Sequence, residues 1–197
     1  QYPIDFLACA GHKGLLGPLG TGVLMIRSGL ELELEPLFQG GTGSLSEDPH
    51  QPQTLPDRFE SGNLNVPGIF GLGAGVDSLL HRDLATERMR LQGLTAQFLE
   101  EIAECRGLRI YGPQTAEGRV GVVSLNLEGL DPQTLAMILD QSFQIEVRSG
   151  LHCAPGAHRA CGSLDRGGAV RFSFGHFTTS EEVSSAADAL RQISVQV

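Results

Sequence analysis

The chain has 197 residues, 41% hydrophobic and 19% charged, enough to bury a substantial core and too apolar for a disordered segment. A formal charge of −9, without clusters of Lys or Arg, argues against a nucleic-acid partner, because phosphate neutralisation needs concentrated positive charge. No apolar run approaches the roughly 20 residues that cross a bilayer and no charged-then-apolar leader opens the sequence, so neither a membrane partner nor secretion is expected. Of the 14 basic residues 13 are Arg, which leaves Lys13 as the only lysine.

Gln1 to Ala8 reads as the end of a loop running into a strand, Ile4 to Ala8, and the expectation is a piece of a longer polypeptide. A glycine-punctuated stretch from Gly11 to Gly20 follows, too rich in Gly and Pro for a helix. Val23 to Arg27 is an apolar strand, and Leu30 to Glu35 alternates strictly before Pro36, which suits a short strand with one wet face or a frayed turn. Residues 38–67 are polar and rich in Gly, Pro, Ser and Gln, a loop whose length marks it as functional or disordered.

Helical spacing returns from Ile69 to Leu80 and continues from Asp83 to Cys105 as one long helix or a kinked pair. Leu108 to Gly112 and Val120 to Leu127 read as strands. Asp131 N-caps a helix that starts at Pro132 and reaches about Ser142. Ile145 to Arg148 and Ala169 to Phe174 are further short strands, and Thr179 or Ser180 caps a final helix with Glu181 and Glu182 in its first turn. The order after residue 105 describes a compact α+β domain.

Three groups carry candidate chemistry. Lys13, at the end of a strand and flanked by His12 and glycines, is placed as a Schiff-base amine for a carbonyl cofactor such as pyridoxal phosphate, against the alternative of a surface lysine. Cys153 lies in Arg148-Ser149-Gly150-Leu151-His152-Cys153-Ala154-Pro155, where cations approaching the thiol would make it a nucleophile; the alternative is an inert cysteine. Cys9 and Cys105, assigned to a strand and a helix, fit the inert description better, and the four cysteines read as free thiols. His152, Cys153, His158 and Cys161 also have residue types and spacing that suit zinc, although no paired knuckle is present and Arg148 and Arg159 would crowd the cation. Arg171, among apolar residues of a strand, needs either an acidic partner or a substrate carboxylate.

Together these segments resemble the C-terminal half of the cysteine desulfurases, a branch of the class V aminotransferases with the pyridoxal-phosphate fold type I. The resemblance rests on Gly11-His12-Lys13, Gly17 to Gly22, the loop Gly40-Gly41-Thr42-Gly43-Ser44, Arg58-Phe59-Glu60-Ser61-Gly62 with Asn65, the Cys153 segment and Val170-Arg171, all in the family's order. It implies an α/β architecture in which residues 1–80 are the remainder of the large cofactor-binding domain and residues 81–197 a small C-terminal α+β domain. It implies Lys13 as the covalent anchor of pyridoxal 5'-phosphate, His12 and Asn63 as cofactor-binding residues and Cys153 as the persulfide-forming nucleophile. Arg148 and Arg171 would flank the substrate, and no metal is implied.

The implied reaction takes sulfur from L-cysteine, leaving alanine, and passes it to an acceptor protein, as in iron–sulfur cluster assembly. A cytoplasmic homodimer is the implied form of the full-length enzyme. Selenocysteine lyase and cystine C–S lyase share this chemistry, and a non-catalytic scaffold is the alternative of another class. Ala10 stands where the family usually has Ser or Thr, and Asn63 where a Thr is common; both family hydroxyls contact the cofactor phosphate. The family's N-terminal half, which holds the ring-stacking residue, the Asp on the ring nitrogen and a glycine-rich phosphate turn, has no counterpart here, so the chain alone is expected to be a poor catalyst.

Overall fold

A computed structural model describes residues 2–197. The chain forms two compact units, Gln1–Arg82 and Asp83–Val197.

In the first unit, β1 (Phe6–Ala10) and β2 (Gly22–Ile26) pair antiparallel, with Phe6 opposite Ile26 and Ala10 opposite Gly22. The strand expected from Ile4 to Ala8 thus lies two residues further on, because Ile4 closes a turn onto the Tyr2 carbonyl and pairing starts after Asp5. Leu30 to Glu35 takes the turn alternative and not the strand. Its amides close turns, Leu30 onto Arg27 and Glu33 onto Leu30, while the carbonyls of Glu31 and Leu34 are taken by the buried Arg58 guanidinium at 3.1 and 2.9 Å.

The 38–67 segment is built by the same kind of bond. Gly40 donates to Gln51 Oε1 at 2.9 Å, Gln51 Nε2 donates to the Asp57 carbonyl at 2.5 Å, and Arg58 Nη1 donates to Gln53 Oε1 at 2.6 Å. Gln51 and Arg58 are 6% and 4% exposed, so these are internal hydrogen bonds that cross-link the segment.

Helix α1 (Val66–Leu80) starts ahead of the expected Ile69 because the Asn65 side chain accepts from the Gly68 amide at 3.1 Å and Pro67 fits the first turn. This helix is glycine-rich on the side that meets the Gly11–Gly20 turn. A Cβ on Gly75 would stand 2.5 Å from the Leu15 carbonyl oxygen, and one on Gly71 would stand 2.6 Å from Pro18 Cγ.

The second unit begins with α2 (Leu84–Glu101), capped by the Asp83 side chain on the amides of Ala85 and Thr86. Strands β3 (Leu108–Tyr111), β4 (Val122–Leu127), β5 (Arg148–Gly150) and β6 (Ala169–Ser173) form an antiparallel sheet in the order β3-β4-β6-β5. Helix α3 (Pro132–Phe143) carries the expected Asp131 cap, and α5 (Ser180–Ser194) has a full capping box between Thr179 and Glu182.

Alternate residues of the sheet divide its faces. Val123, Leu125, Leu127, Val170 and Phe172 point into a core with Phe98 and Leu99 of α2, Leu135 and Leu139 of α3, and Leu190 and Ile193 of α5. Phe98 is fully buried, its ring 4.9 Å from Phe172 and 5.2 Å from Phe174. The strand expected from Ile145 to Arg148 starts where that expectation ended, since only Arg148 to Gly150 meet β6. No helix among the described residues is long and apolar enough to cross a membrane.

Arg90 pins the loop after β6 to α2. Its guanidinium donates to the carbonyls of Gly175, His176 and Thr178 at 2.9, 2.9 and 2.8 Å and pairs with Glu87 Oε1 at 2.9 Å. That hydrogen bond, helped by His176, holds the Glu87 carboxyl at about 2, well below its ordinary 4.5. A depressed carboxylate stabilises the fold fully above its unfolded value and loses that effect as pH falls.

Two outcomes are expected. Arg90→Met strands three carbonyls and lowers unfolding stability in urea by about 1–3 kcal/mol, and the deficit relative to wild type shrinks between pH 4.5 and about 2 as Glu87 is protonated. Gly75→Val forces α1 away from the Leu15 carbonyl at a cost of about 1–3 kcal/mol, read by hydrogen exchange as faster opening of the Leu16 and Gly17 amides; unchanged exchange there would contradict the close approach.

Candidate active site

Lys13 sits on a tight turn between β1 and β2. The Gly17 amide closes the turn onto the Gly11 carbonyl at 2.8 Å, the Leu16 amide closes it onto Lys13 at 3.0 Å, and Leu16 takes a left-handed φ of 59°. Gly11 is buried, and a side chain there would collide with Thr21, so the strand end is pressed against the residue that enters β2. His12 and Lys13 are exposed on this turn. Asn63, also exposed, follows Gly62, whose amide donates to the Gly40 carbonyl at 3.1 Å. That bond joins the Gly40–Ser44 loop to the Arg58–Gly62 segment, two stretches that are far apart in sequence.

Pyridoxal phosphate needs an amine for its aldehyde and donors for its phosphate. This turn presents the chain's only primary side-chain amine with an imidazole beside it, and open space surrounds Gly14. The donor set fits the group. At Ala10 the side chain offers no hydroxyl, and only the main chain remains there to bind phosphate.

In the second unit the chain turns sharply after β5. Gly150, His152 and Cys153 have φ of 100°, 52° and 59°, and the Ala154 amide donates to the Leu151 carbonyl at 2.8 Å. Left-handed backbone costs roughly 1–2 kcal/mol at a non-glycine residue, so this loop is held by other contacts. Arg148 makes two of them. Its carbonyl accepts from His152 Nε2 at 2.9 Å, and its Nη2 donates to Cys153 Sγ at 3.6 Å. Cys153 is exposed, with the guanidinium at its sulfur.

Helix α4 (Pro155–Cys161) follows, a helix to which the sequence reading assigned no element. Pro155 in its first turn and Gly162 in the left-handed position after its last residue are the signals that mark it. His158 on this helix is 7% exposed, pairs through Nδ1 with Ser163 Oγ at 2.7 Å, and lies with its ring 5.2 Å from that of His152. Burial pushes the His152 imidazole below its ordinary range, opposed by the Arg148 carbonyl and assisted by the charges of Arg171, His158 and Arg148. A carbonyl only accepts, so the Nε2 that reaches it carries a proton.

The sheet's outer face and α4 enclose a cleft of about 330 Å³, lined by Tyr111, Arg119, Ser124, His152, His158 and Arg171 among others, with no Asp or Glu. Arg171 stands directly opposite Arg148 in the β5–β6 register. The acidic partner considered for Arg171 is not there: among the described residues it forms no ion pair, and its Nε donates to Ser173 Oγ at 3.0 Å. Two like charges opposed across strands are unfavourable unless an anion joins them.

Of the remaining cysteines, Cys9 keeps its expected strand and Cys105 leaves its expected helix. Cys9 is exposed on β1, whereas Cys105 lies beyond the end of α2, half-buried, its thiol pushed up by burial. Among the described residues no three His, Cys, Asp or Glu side chains gather as metal ligands. His158 is engaged by Ser163, and Cys153 faces Arg148. The structure also shows a residue that sequence reasoning passed over, Arg119, which donates to the carbonyls of Tyr111, Pro113 and Val122 and so closes one side of the cleft; burial lowers its basicity.

Residues 1–185 match the family model described as aminotransferase class-V. A probable cysteine desulfurase of Methanothermobacter thermautotrophicus is 38% identical over 195 residues, covering 96% of this chain and 48% of that protein. One from Pyrococcus abyssi is 34% identical, with 96% and 46% covered. Among solved structures, the apo cysteine desulfurase of Thermococcus onnurineus superposes with a TM-score of 0.86 at 35% identity, covering 98% of this chain and 48% of that one. The Escherichia coli cysteine desulfurase CsdA gives 0.82 at 27% identity, with 98% and 46% covered. The chain therefore spans about half the length of the relatives it matches, and it has the mixed α/β fold of the corresponding half. By the match over nearly its whole length, the chain belongs to the class-V aminotransferases, a pyridoxal-phosphate-dependent family.

Proposed function

We propose that this chain is the catalytic C-terminal half of a cysteine desulfurase. The observation that carries the reading is the Cys153 loop, an exposed thiol 3.6 Å from the Arg148 guanidinium, beside a cleft lined by Arg171 and by no acid. Relatives named as cysteine desulfurases, at 31–38% identity, support it.

Lys13 would hold pyridoxal phosphate through its amine, with His12 and Asn63 as further cofactor contacts. When bound, the cofactor supplies an electron sink for the substrate's Cα and Cβ bonds. Arg171 binds the carboxylate of the amino acid, for which a guanidinium fork is suited, and Arg148 flanks it. Cys153 attacks the substrate sulfur as a thiolate: its S–S bond forms while the substrate's Cβ–S bond breaks. The balance is L-cysteine plus a thiol giving alanine plus a persulfide, and the freed Lys13 amine moves a proton to the carbon that lost sulfur. The persulfide then goes to an acceptor, a protein in the iron–sulfur assembly setting, in the cytoplasm.

The exposed strands of the first unit support a further part of the reading. Phe6, Leu7, Val23, Leu24 and Met25 of β1 and β2 are each at least 40% exposed, a two-stranded sheet too small to stand alone with apolar residues on both faces. The complete enzyme would cover them with its N-terminal half, and the family's homodimer would form from that whole.

In the complete polypeptide, Cys153→Ala is expected to reduce sulfide release from L-cysteine by at least about 100-fold. Undiminished release overturns the assignment, while loss for cysteine with retained cleavage of selenocysteine or cystine assigns one of those lyase reactions instead. For the 197-residue chain alone, added pyridoxal phosphate should give little Lys13-dependent absorbance near the visible edge. Strong absorbance abolished by Lys13→Ala would show that the cradle is complete without the other half, and no absorbance from the complete polypeptide would favour a scaffold.

A further inference from the structure

His152 has no part in the chemistry just described, yet it occupies the centre of the Cys153 loop. Its Nε2 reaches back four residues to the Arg148 carbonyl at 2.9 Å, and its ring lies 5.2 Å from the His158 ring. His158 is itself fixed, buried and paired with Ser163, which is 1% exposed. The loop therefore has a rigid floor on one side and a single hydrogen-bonded strap across it.

We propose that His152 is a positioning residue whose ring N–H, by tying back the Arg148 main chain over the His158–Ser163 floor, holds the Arg148 guanidinium on the Cys153 sulfur. The argument is one of linked geometry. Arg148 is the single residue that accepts from His152 through its carbonyl and donates to Cys153 through its side chain. Cys153 follows His152 directly, and both have left-handed φ, 52° and 59°. The Ala154–Leu151 bond closes the turn itself without reaching Arg148, so apart from the Arg148–Cys153 contact the strap is the described hydrogen bond that joins the loop's return to that residue. Without it, the Arg148 main chain is no longer tied to the turn and sulfur and guanidinium are free to separate.

The charged and titratable groups facing His152 are Arg148 from β5, Arg171 from β6 and His158 from α4. All act against a second proton on the ring, and its Nε2–H donates to the Arg148 carbonyl in either charge state.

This inference rests on Cys153 being the nucleophile, but its test does not require turnover. With Cys9, Cys105 and Cys161 replaced by Ser, Cys153 is alkylated by iodoacetamide across a range of pH in the folded chain. His152→Ala is expected to slow alkylation near neutral pH by about three- to tenfold, with the rates of parent and variant converging at alkaline pH where the thiol is fully ionised. A change equal at every pH would signify altered access alone and overturn the proposal, as would unchanged rates. His152→Gln keeps an N–H donor and should restore the parent profile, whereas His152→Phe keeps a ring over His158 but no donor and should behave as Ala; the reverse order overturns it even if the Ala variant does not fold. Arg148→Ala should slow the reaction similarly, and the double variant with His152→Ala no further, since both act through one contact. A normal alkylation series with intact sulfide release in Cys153→Ala would defeat the desulfurase reading and leave the strap standing.

Discussion

The two-residue period of β4 and β6 is the constraint on which the second unit depends. Because successive side chains of a strand point to opposite faces, Val123, Leu125, Val170 and Phe172 commit one face to the helices α2, α3 and α5. The intervening residues Ser124 and Arg171 are thereby sent to the other face, where they line the cleft. A shift of one residue in the β4–β6 register would exchange the two sets and bury Arg171 among Phe98 and Leu139. The packing of the core and the placement of the arginine are thus a single decision, enforced by the aromatic contacts of Phe98 with Phe172 and Phe174.

The strong preference for Arg over Lys has a physical use in this fold. Arg58 and Arg90 each donate to two or more main-chain carbonyls in segments without regular structure, and Arg119 donates to Pro113 and to the strand ends at Tyr111 and Val122. A guanidinium presents five N–H donors in a fixed plane and can gather several carbonyls at once, which a compact ammonium does less well. Such clamps organise residues 31–34, the loop after β6 and the turn before β4. Lys13 takes no part in this work, in keeping with an amine left available for chemistry.

Residues whose pattern is local were legible in the sequence. Asp131 and Thr179 cap the helices assigned to them, Asp83 precedes α2, and β3, β4 and β6 fall where apolar alternation placed them. The rest was set by partners far along the chain. Leu30 to Glu35 alternates as a strand does, but the carbonyls a strand would offer to a neighbour are claimed by Arg58, 24 and 27 residues away. The β5 strand was misplaced because its limits are set by where β6 lies, not by its own apolar residues. Helix α4 lacks a periodic apolar stripe and is marked only by Pro155 and Gly162. Of the candidate site, the sequence showed which residues have the right chemistry, while the contact of Arg148 with Cys153 and the pairing of His158 with Ser163 depend on a loop path that no local pattern encodes.

The two halves of the proposed chemistry differ in how far each is determined by its own unit. Arg148, His152, Cys153, His158 and Ser163 all belong to the second unit, and their mutual contacts are complete within it. A thiol beside a cation can therefore be set by the fold of residues 83–197 alone. The first unit supplies the amine but exposes both faces of the β1–β2 pair, and its short turn gains rigidity chiefly from the close approach of α1 at Gly71 and Gly75. Such close backbone approach fixes where Lys13 begins without filling the space around its end. The proposed nucleophile is positioned by bonds within its unit, whereas the proposed anchoring amine is positioned at its base only.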